Sequence, residues 1–335
     1  MWLVVAPVHL VLLGSALGGV ALLVRGPGVP LRVLGGILIM VAFGTYPRPS
    51  VTPGHSVSLN ATQAPRLFEL LQRIGSVCGT TPPRQVLILG DFNAFAARVG
   101  WRRTRVLGLG APLWVASSPQ ARVALLGHEL GHFAHGDLTA SYWVWAAERS
   151  LHHWLDILSG PRHVLYSPNS FVVKYALLPF QALVRGYLWV IRKINGPASQ
   201  RREYLADLDS AQAAGTAGAV RLLETLFMEP AVSTAMTRAA VSRERPDMWD
   251  VVRSDVAGFG DDDYRRRRAG VNAQRSRIDD SHPATLLRLR LLEAVPPVSA
   301  RVVLDGGATQ SLNLELKQAL NIAARRAGER IRYRR

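Results

Sequence analysis

The stretch VALLGHELGHFAHGD, residues 123–137, limits the fold more than any other. It sets three histidines and two acids in an apolar run with the start signals of a helix. Ser118 offers a cap, Pro119 suits the first turn, and an apolar stripe follows. A helix of that composition packs against a core, where titratable groups without partners are costly. The chain must fold so that another segment meets this stripe with compensating groups.

Spacing says what kind. His128 and His132 are four residues apart, so on a helix their imidazoles are offset by about 40° and about 6 Å and point the same way. Two neutral imidazoles so placed fit two corners of a zinc tetrahedron. Glu129 then projects toward the water position, where it can act as general base as that water attacks a carbonyl. This is the His-Glu-x-x-His pattern of zinc peptidases. A third ligand must come from elsewhere. His135 lies about 10 Å along the axis from His128, too far for the same ion. The longer metzincin pattern needs a histidine at position 138, which is Leu138. A remote carboxylate is left, and the best candidate is Glu203 in RREYLADLDSAQAAG, with Asp207 four residues on and on the same helical face. One acid would bind the ion while the other accepts a ring N–H from a ligand histidine and fixes its tautomer. Glu148 and Glu224 compete for the role. Glu148 has Arg149 beside it and no acid four residues on, and Glu224 sits in an apolar helix.

The N-terminus points to a bilayer. Residues 2–24 carry no charged side chain, and at about 1.5 Å per residue they can cross a hydrocarbon core of about 30 Å. A second apolar run, 33–44, follows at once, and with Val29 to Leu31 and Thr45 to Tyr46 it can cross too. Residues 1–48 therefore read as a transmembrane helical hairpin. A secretory signal peptide would place basic residues before the run and a small-residue cleavage site after it, and RGPGVPLR follows instead. Arg25 and Arg32 favour the short loop inside and the body of the protein outside, while Arg48 and the free amine count the other way.

Residues 49–335 read as one metallopeptidase domain. TQAPRLFELLQRIGSVCG predicts a helix with Leu67, Leu70, Leu71 and Ile74 on one side, and RQVLILG and TRVLGLG predict short strands. Residues 138–194 are apolar but interrupted. Lys174 and Arg185 fall within the run 171–191, and each charge near a bilayer centre costs roughly 2.5–3.5 kcal/mol. That segment predicts helices lying in the membrane interface or packed on the domain. Residues 229–281 read as polar and irregular, with GDDDYRRRR a charge-dense stretch.

Composition agrees with a mixed object. With 48% hydrophobic residues the chain is apolar for a soluble enzyme and modest for a multi-spanning protein, which suits a soluble-type domain tied to a bilayer. The net charge of +16 favours anionic partners. That charge is spread along the chain without interleaved aromatics, so Arg265 to Arg268 read as touching membrane lipid, and no nucleic-acid partner is expected. The single cysteine, Cys78, excludes an internal disulfide and a cysteine-based metal site.

Four segments, in order, resemble the HtpX-like membrane zinc metallopeptidases, the gluzincin family that also includes the CaaX prenyl endopeptidases. They are NAFA (93–96), HELGHFAHGD (128–137) with Asp137 five residues after the second histidine, EYLAD (203–207) and DSHPATLLRLRLLEA (280–294). The N-terminal hairpin agrees with that family's plan, whereas close relatives carry two cleaner spans where this chain has 138–194. The resemblance implies a mainly α fold with a small β-sheet, an α+β zincin behind the hairpin. It implies one Zn2+ per chain on His128, His132 and Glu203, with Glu129 catalytic and Asp207 and Asp137 supporting the ligands. It places Asn93, Ala94, Phe95 and Ala96 at an edge strand beside the cleft, where an extended substrate adds by backbone hydrogen bonds. It brings His282, just before Pro283, to the cleft, either to donate to the oxyanion or to take the open zinc position. The activity implied is endopeptidase cleavage in membrane protein quality control, on unfolded or membrane-proximal polypeptides. The place implied is a bacterial inner membrane, with the catalytic domain facing the cytoplasm. Two rival functions remain: a prenyl-protein-type processing protease, which needs more spans than the sequence shows, and a chaperone or binding module without proteolysis, which has no need of Glu129.

Overall fold

The computed structural model describes residues 2–46, 56–100, 102–135, 137–159, 170–244, 246–271 and 284–333. The first half runs α1 (Trp2–Arg25), α2 (Gly28–Thr45), β1 (Val57–Leu59), α3 (Pro65–Cys78), β2 (Gln85–Leu89), β3 (Ala94–Val99), β4 (Thr104–Gly110), α4 (Ala111–Ala116), α5 (Pro119–Ala134) and α6 (Asp137–Ser159). The second is helical: α7 (Ser170–Leu226), α8 (Glu229–Val241), α9 (Met248–Ala257), α10 (Asp261–Val271), α11 (Thr285–Ala294) and α12 (Gly306–Tyr333). This is the mainly α fold with a small sheet that the sequence led us to expect. The chain divides into two compact units.

One unit holds α1, α2, most of α6 and α7 as far as Ser199. Helices α1 and α2 are long and apolar enough to cross a membrane. They meet at two glycines. A Cβ on Gly19 would stand 2.8 Å from the carbonyl oxygen of Gly35, and one on Gly35 would stand 2.6 Å from that of Gly19. Small residues at a crossing let backbones touch, the usual way apolar helices associate in lipid. Leu10, Leu13, Leu17 and Phe43 remain exposed. The start of α7 and α6 pack on α1, burying Val5 and Val8 against Val144, Ala147, Leu151, Leu188 and Ile191. The Tyr187 hydroxyl donates to the carbonyl of Val4 at 2.8 Å, and that of Ser150 to Thr45 at 3.0 Å.

The other unit is built on a sheet of order β1-β2-β4-β3. Strands β2 and β4 are parallel, with Gln85 opposite Val106. Both outer pairs are antiparallel, Val57 facing Ile88 and Ala94 facing Leu109. Strand β3 is therefore an edge. Helix α3 buries Leu67, Leu70, Leu71 and Ile74, the stripe expected from sequence, and ends at Gly79 in the left-handed region. Its first turn has no side-chain cap of its own. The Glu315 carboxylate on α12 supplies one, accepting from the backbone N–H groups of Arg66 and Leu67 at 2.9 Å each. Helix α7 is broken at Gly215 (φ 78°, ψ 155°).

Residues 229–271 depart from the expected irregularity, for they form α8, α9 and α10. Asp247 caps α9, its carboxylate accepting from the N–H groups of Trp249 and Asp250. Met248, Trp249 and Val252 are buried by tertiary packing. Within the arginine run Arg265 pairs with Asp262 and Arg266 with Asp263 on the same helix, and Arg268 pairs with Glu293 on α11.

Candidate metal centre

Helix α5 starts as its sequence suggests. The Ser118 side chain accepts from the Ala121 N–H and Pro119 fills the first turn. From Ala121 to Gly131 every residue is buried. Its face toward α7 is made by glycines four residues apart. A Cβ on Gly127 would lie 3.1 Å from that of Ala213 and 3.2 Å from Cα of Ser210. One on Gly131 would lie 2.7 Å from Asp209 Oδ2 and 3.2 Å from Cα of Ala206. The two small positions in GHELGH thus let α5 and α7 approach closely, and that approach brings the histidines to Glu203.

The ligand atoms of His128, His132 and Glu203 lie within 4.8 Å of one another. His128 Nε2 is 3.6 Å from Glu203 Oε2, and His132 Nε2 is 3.6 Å from Glu203 Oε1. Two donors at tetrahedral angles, each about 2.0–2.1 Å from zinc, stand about 3.4 Å apart. The donor set, two imidazoles and a carboxylate, and its spacing both fit that ion. The other nitrogen of His128, Nδ1, is 3.1 Å from Asp207 Oδ1. With that contact on one side of the ring, Nε2 is turned to Glu203. Glu129 is 5% exposed, Glu203 4% and Asp207 1%, so these carboxyls sit in a low-dielectric interior.

Burial sets the electrostatics. Burial pushes the Glu129 carboxyl above the usual carboxylate range, against the opposing pull of His128 and His132. Burial also works against a charged His128, as does the nearby Arg288. Hydrogen bonds to Asp207 and Glu203 outweigh both, and in the metal-free chain the imidazole is pushed up to about 9. For Asp207 burial is again opposed, here by the hydrogen-bonded Arg288 guanidinium and by His128, which hold its carboxyl below the ordinary range.

Arg288, on α11, was not anticipated. It is 7% exposed, and its Nη2 lies 3.3 and 3.4 Å from the two ring nitrogens of His128. Its Nη1 lies 3.7 Å from Glu203 Oε2. The available signal was its place six residues after His282 in the last resembling segment.

The remaining candidates divide. Ala94, Phe95 and Ala96 lie on the edge strand β3, and Asn93 immediately precedes it. Phe95 packs its ring over Gly108, where a Cβ would come within 2.2 Å of it. His135 joins a different partner, its Nε2 2.8 Å from Asp209 Oδ2. Glu224 pairs with Arg221 at 3.2 Å, and Glu148 in the other unit lies 3.7 Å from Arg192. Asp137 opens α6, but its side chain is outside the described ones, and His282 lies outside the described residues.

The profile of peptidase family M48 matches residues 63–295. Protease HtpX of Stutzerimonas stutzeri (strain A1501) is 27% identical over 175 residues, which are 51% of this chain and 59% of that protein. Protease HtpX of Pseudomonas putida (strain W619) is 28% identical over 175 residues, 51% of this chain and 58% of that protein. The chain thus matches less than two thirds of the length of these curated relatives. No solved structure matches it.

Proposed function

This chain belongs to peptidase family M48, a family of metallopeptidases, and from that premise we propose a zinc-dependent endopeptidase anchored in a membrane by α1 and α2. One observation carries the reading: two imidazoles and the Glu203 carboxylate converge within 4.8 Å while Glu129 lies buried beside them. His128, His132 and Glu203 would hold the ion. A bound zinc supplies Lewis acidity and eases ionisation of water near neutral pH.

The chain's own groups do the rest. Glu129 takes a proton from the attacking water and passes it to the departing amine nitrogen. Its place suits both transfers, since it lies buried beside the two imidazoles where water and substrate would meet. Asp207 holds the His128 ring by accepting from Nδ1. The substrate chain adds along β3. There Phe95 packs toward Leu87, Leu89 and Val106, and Ala94 and Ala96 pack toward the main core. With its side chains so committed, the edge strand from Ala94 through Phe95 and Ala96 would take a substrate through backbone groups, which tolerates varied sequences, whereas Asn93 already spends its N–H on Asp91 and its carbonyl on Gly110. Substrates of that kind are unfolded or membrane-proximal polypeptides, as in quality control of membrane proteins. We place the protein in a bacterial inner membrane with residues 49–335 as the catalytic part, facing the cytoplasm. In that reading α6 and the start of α7 are apolar helices packed at the anchor.

The test is Glu129→Gln in the full chain. Casein cleavage should vanish while bound zinc, measured by atomic emission, stays at one per chain. Undiminished cleavage in that variant would refute the mechanism.

A further inference from the structure

Among the described residues, Arg122 is a buried cation with no carboxylate paired to it. It lies on α5, six residues before His128, and is 7% exposed. It lines a groove of about 610 Å³ with Trp114 of α4, Trp249 and Arg253 of α9, and Asn313 and Lys317 of α12. Its Nε donates to the Trp114 carbonyl at 2.9 Å and its Nη1 to Asn313 Oδ1 at 2.8 Å. The guanidinium also stacks 4.9 Å from the Trp114 ring. Every one of these partners is neutral.

Among the described residues no carboxylate pairs with Arg122, and its Nη2 group has no acceptor. The indole N–H of Trp114, in a fully buried ring below the guanidinium, has none either. Burial, together with the like charge of Arg253, pulls Arg122 from its ordinary value down to about 10. Two acids line the same groove, and both are engaged: Asp247 caps α9 and Asp250 pairs with Arg253. A buried guanidinium without a counter-charge is costly, and this one is kept where a groove reaches it.

We propose that this groove is a binding site for a small oxyanion group, phosphate or carboxylate. It would be seated on the unused Nη2 edge of Arg122, with Lys317 and Arg253 at its rim. A planar fork with a spare pair of N–H donors matches either anion, and a charge-assisted contact in a partly desolvated groove is strong. The site is separate from the metal-binding residues and does not depend on the peptidase reading.

The test is calorimetric titration of the full chain in detergent with inorganic phosphate, and separately with acetate, at ionic strength held constant with sodium chloride. One of the two should bind saturably at one site per chain, and the tighter one identifies the ligand class. Arg122→Gln should weaken it about tenfold or more, the loss of a charge-assisted hydrogen bond. Lys317→Glu, an exposed change that leaves the core intact, should weaken it too and keeps the test decisive if Arg122→Gln does not fold. Absence of saturable binding of both anions to the unmodified chain would overturn the proposal, and so would undiminished binding in the variants that fold.

Discussion

Arg288 grips the carboxylate of Asp207 at both oxygens, with Nε donating to Oδ2 at 2.8 Å and Nη2 to Oδ1 at 2.6 Å. Asp207 in turn stands 3.1 Å from His128 Nδ1. An arginine on α11 thus sets the orientation of His128 on α5 through an aspartate on α7. Asp207 without Arg288 is a buried carboxylate that has lost its main counter-charge.

Arg288→Ala should therefore loosen the metal. Removing a group that orients a ligand costs about 10–100-fold in affinity, read here by zinc competition with a chromophoric chelator. Because Arg288 and Asp207 act as one unit, adding Asp207→Asn should cost much less than its effect alone. Simple additivity of the two losses would show that the residues act separately.

The close approach of α5 and α7 rests on Gly131. Gly131→Val would drive a branched side chain toward the Ala206 backbone, which already lies 3.2 Å from an added Cβ. Overpacking of this kind costs about 1–3 kcal/mol. The thermal midpoint should fall, and zinc affinity with it, because the histidines move from Glu203. A variant as stable and as tightly loaded as the parent would mean that the helices have room to spare.

Cys78 gives a pH-dependent prediction away from the metal. Its sulfur is 3.7 Å from the Gly127 carbonyl. Burial, with a smaller contribution from Asp209, pushes the thiol up to about 12. The folded pKa lies above the ordinary thiol value of 9.0, so the stability linked to this group is full below pH 9 and is lost as pH rises toward 12. At pH 8 the folded chain should resist iodoacetamide and become alkylated only on unfolding, as followed by mass spectrometry. Rapid labelling of the native chain would place Cys78 at the surface.

Much of the candidate centre's geometry was legible because its spacing is local. The four-residue step from His128 to His132 and the placement of Glu129 follow from helix geometry alone. Glu203 was reachable because an acid four residues on, Asp207, gives it an orienting companion. Arg288 was not, since LLRLRLL places Arg288 and Arg290 in the same apolar setting. Only tertiary packing buries the first and leaves the second exposed. Helices α8 to α10 were hidden for a related reason. Their sequences are short, and what holds α9 is the Asp247 cap with the burial of Met248 and Trp249, while α8 is held by the burial of Val232, Ala235 and Met236. The hairpin α1–α2 needed only length and absence of charge. The two glycines that let it close show only in the coordinates.

The most direct measurement is an X-ray structure of the zinc-loaded chain with anomalous data on either side of the zinc edge. A single peak about 2.0–2.2 Å from a His128 nitrogen, a His132 nitrogen and a Glu203 carboxylate oxygen is expected, with a fourth position left to water. A peak elsewhere, or Glu203 turned away from both imidazoles, would contradict the assignment of these residues as the metal centre.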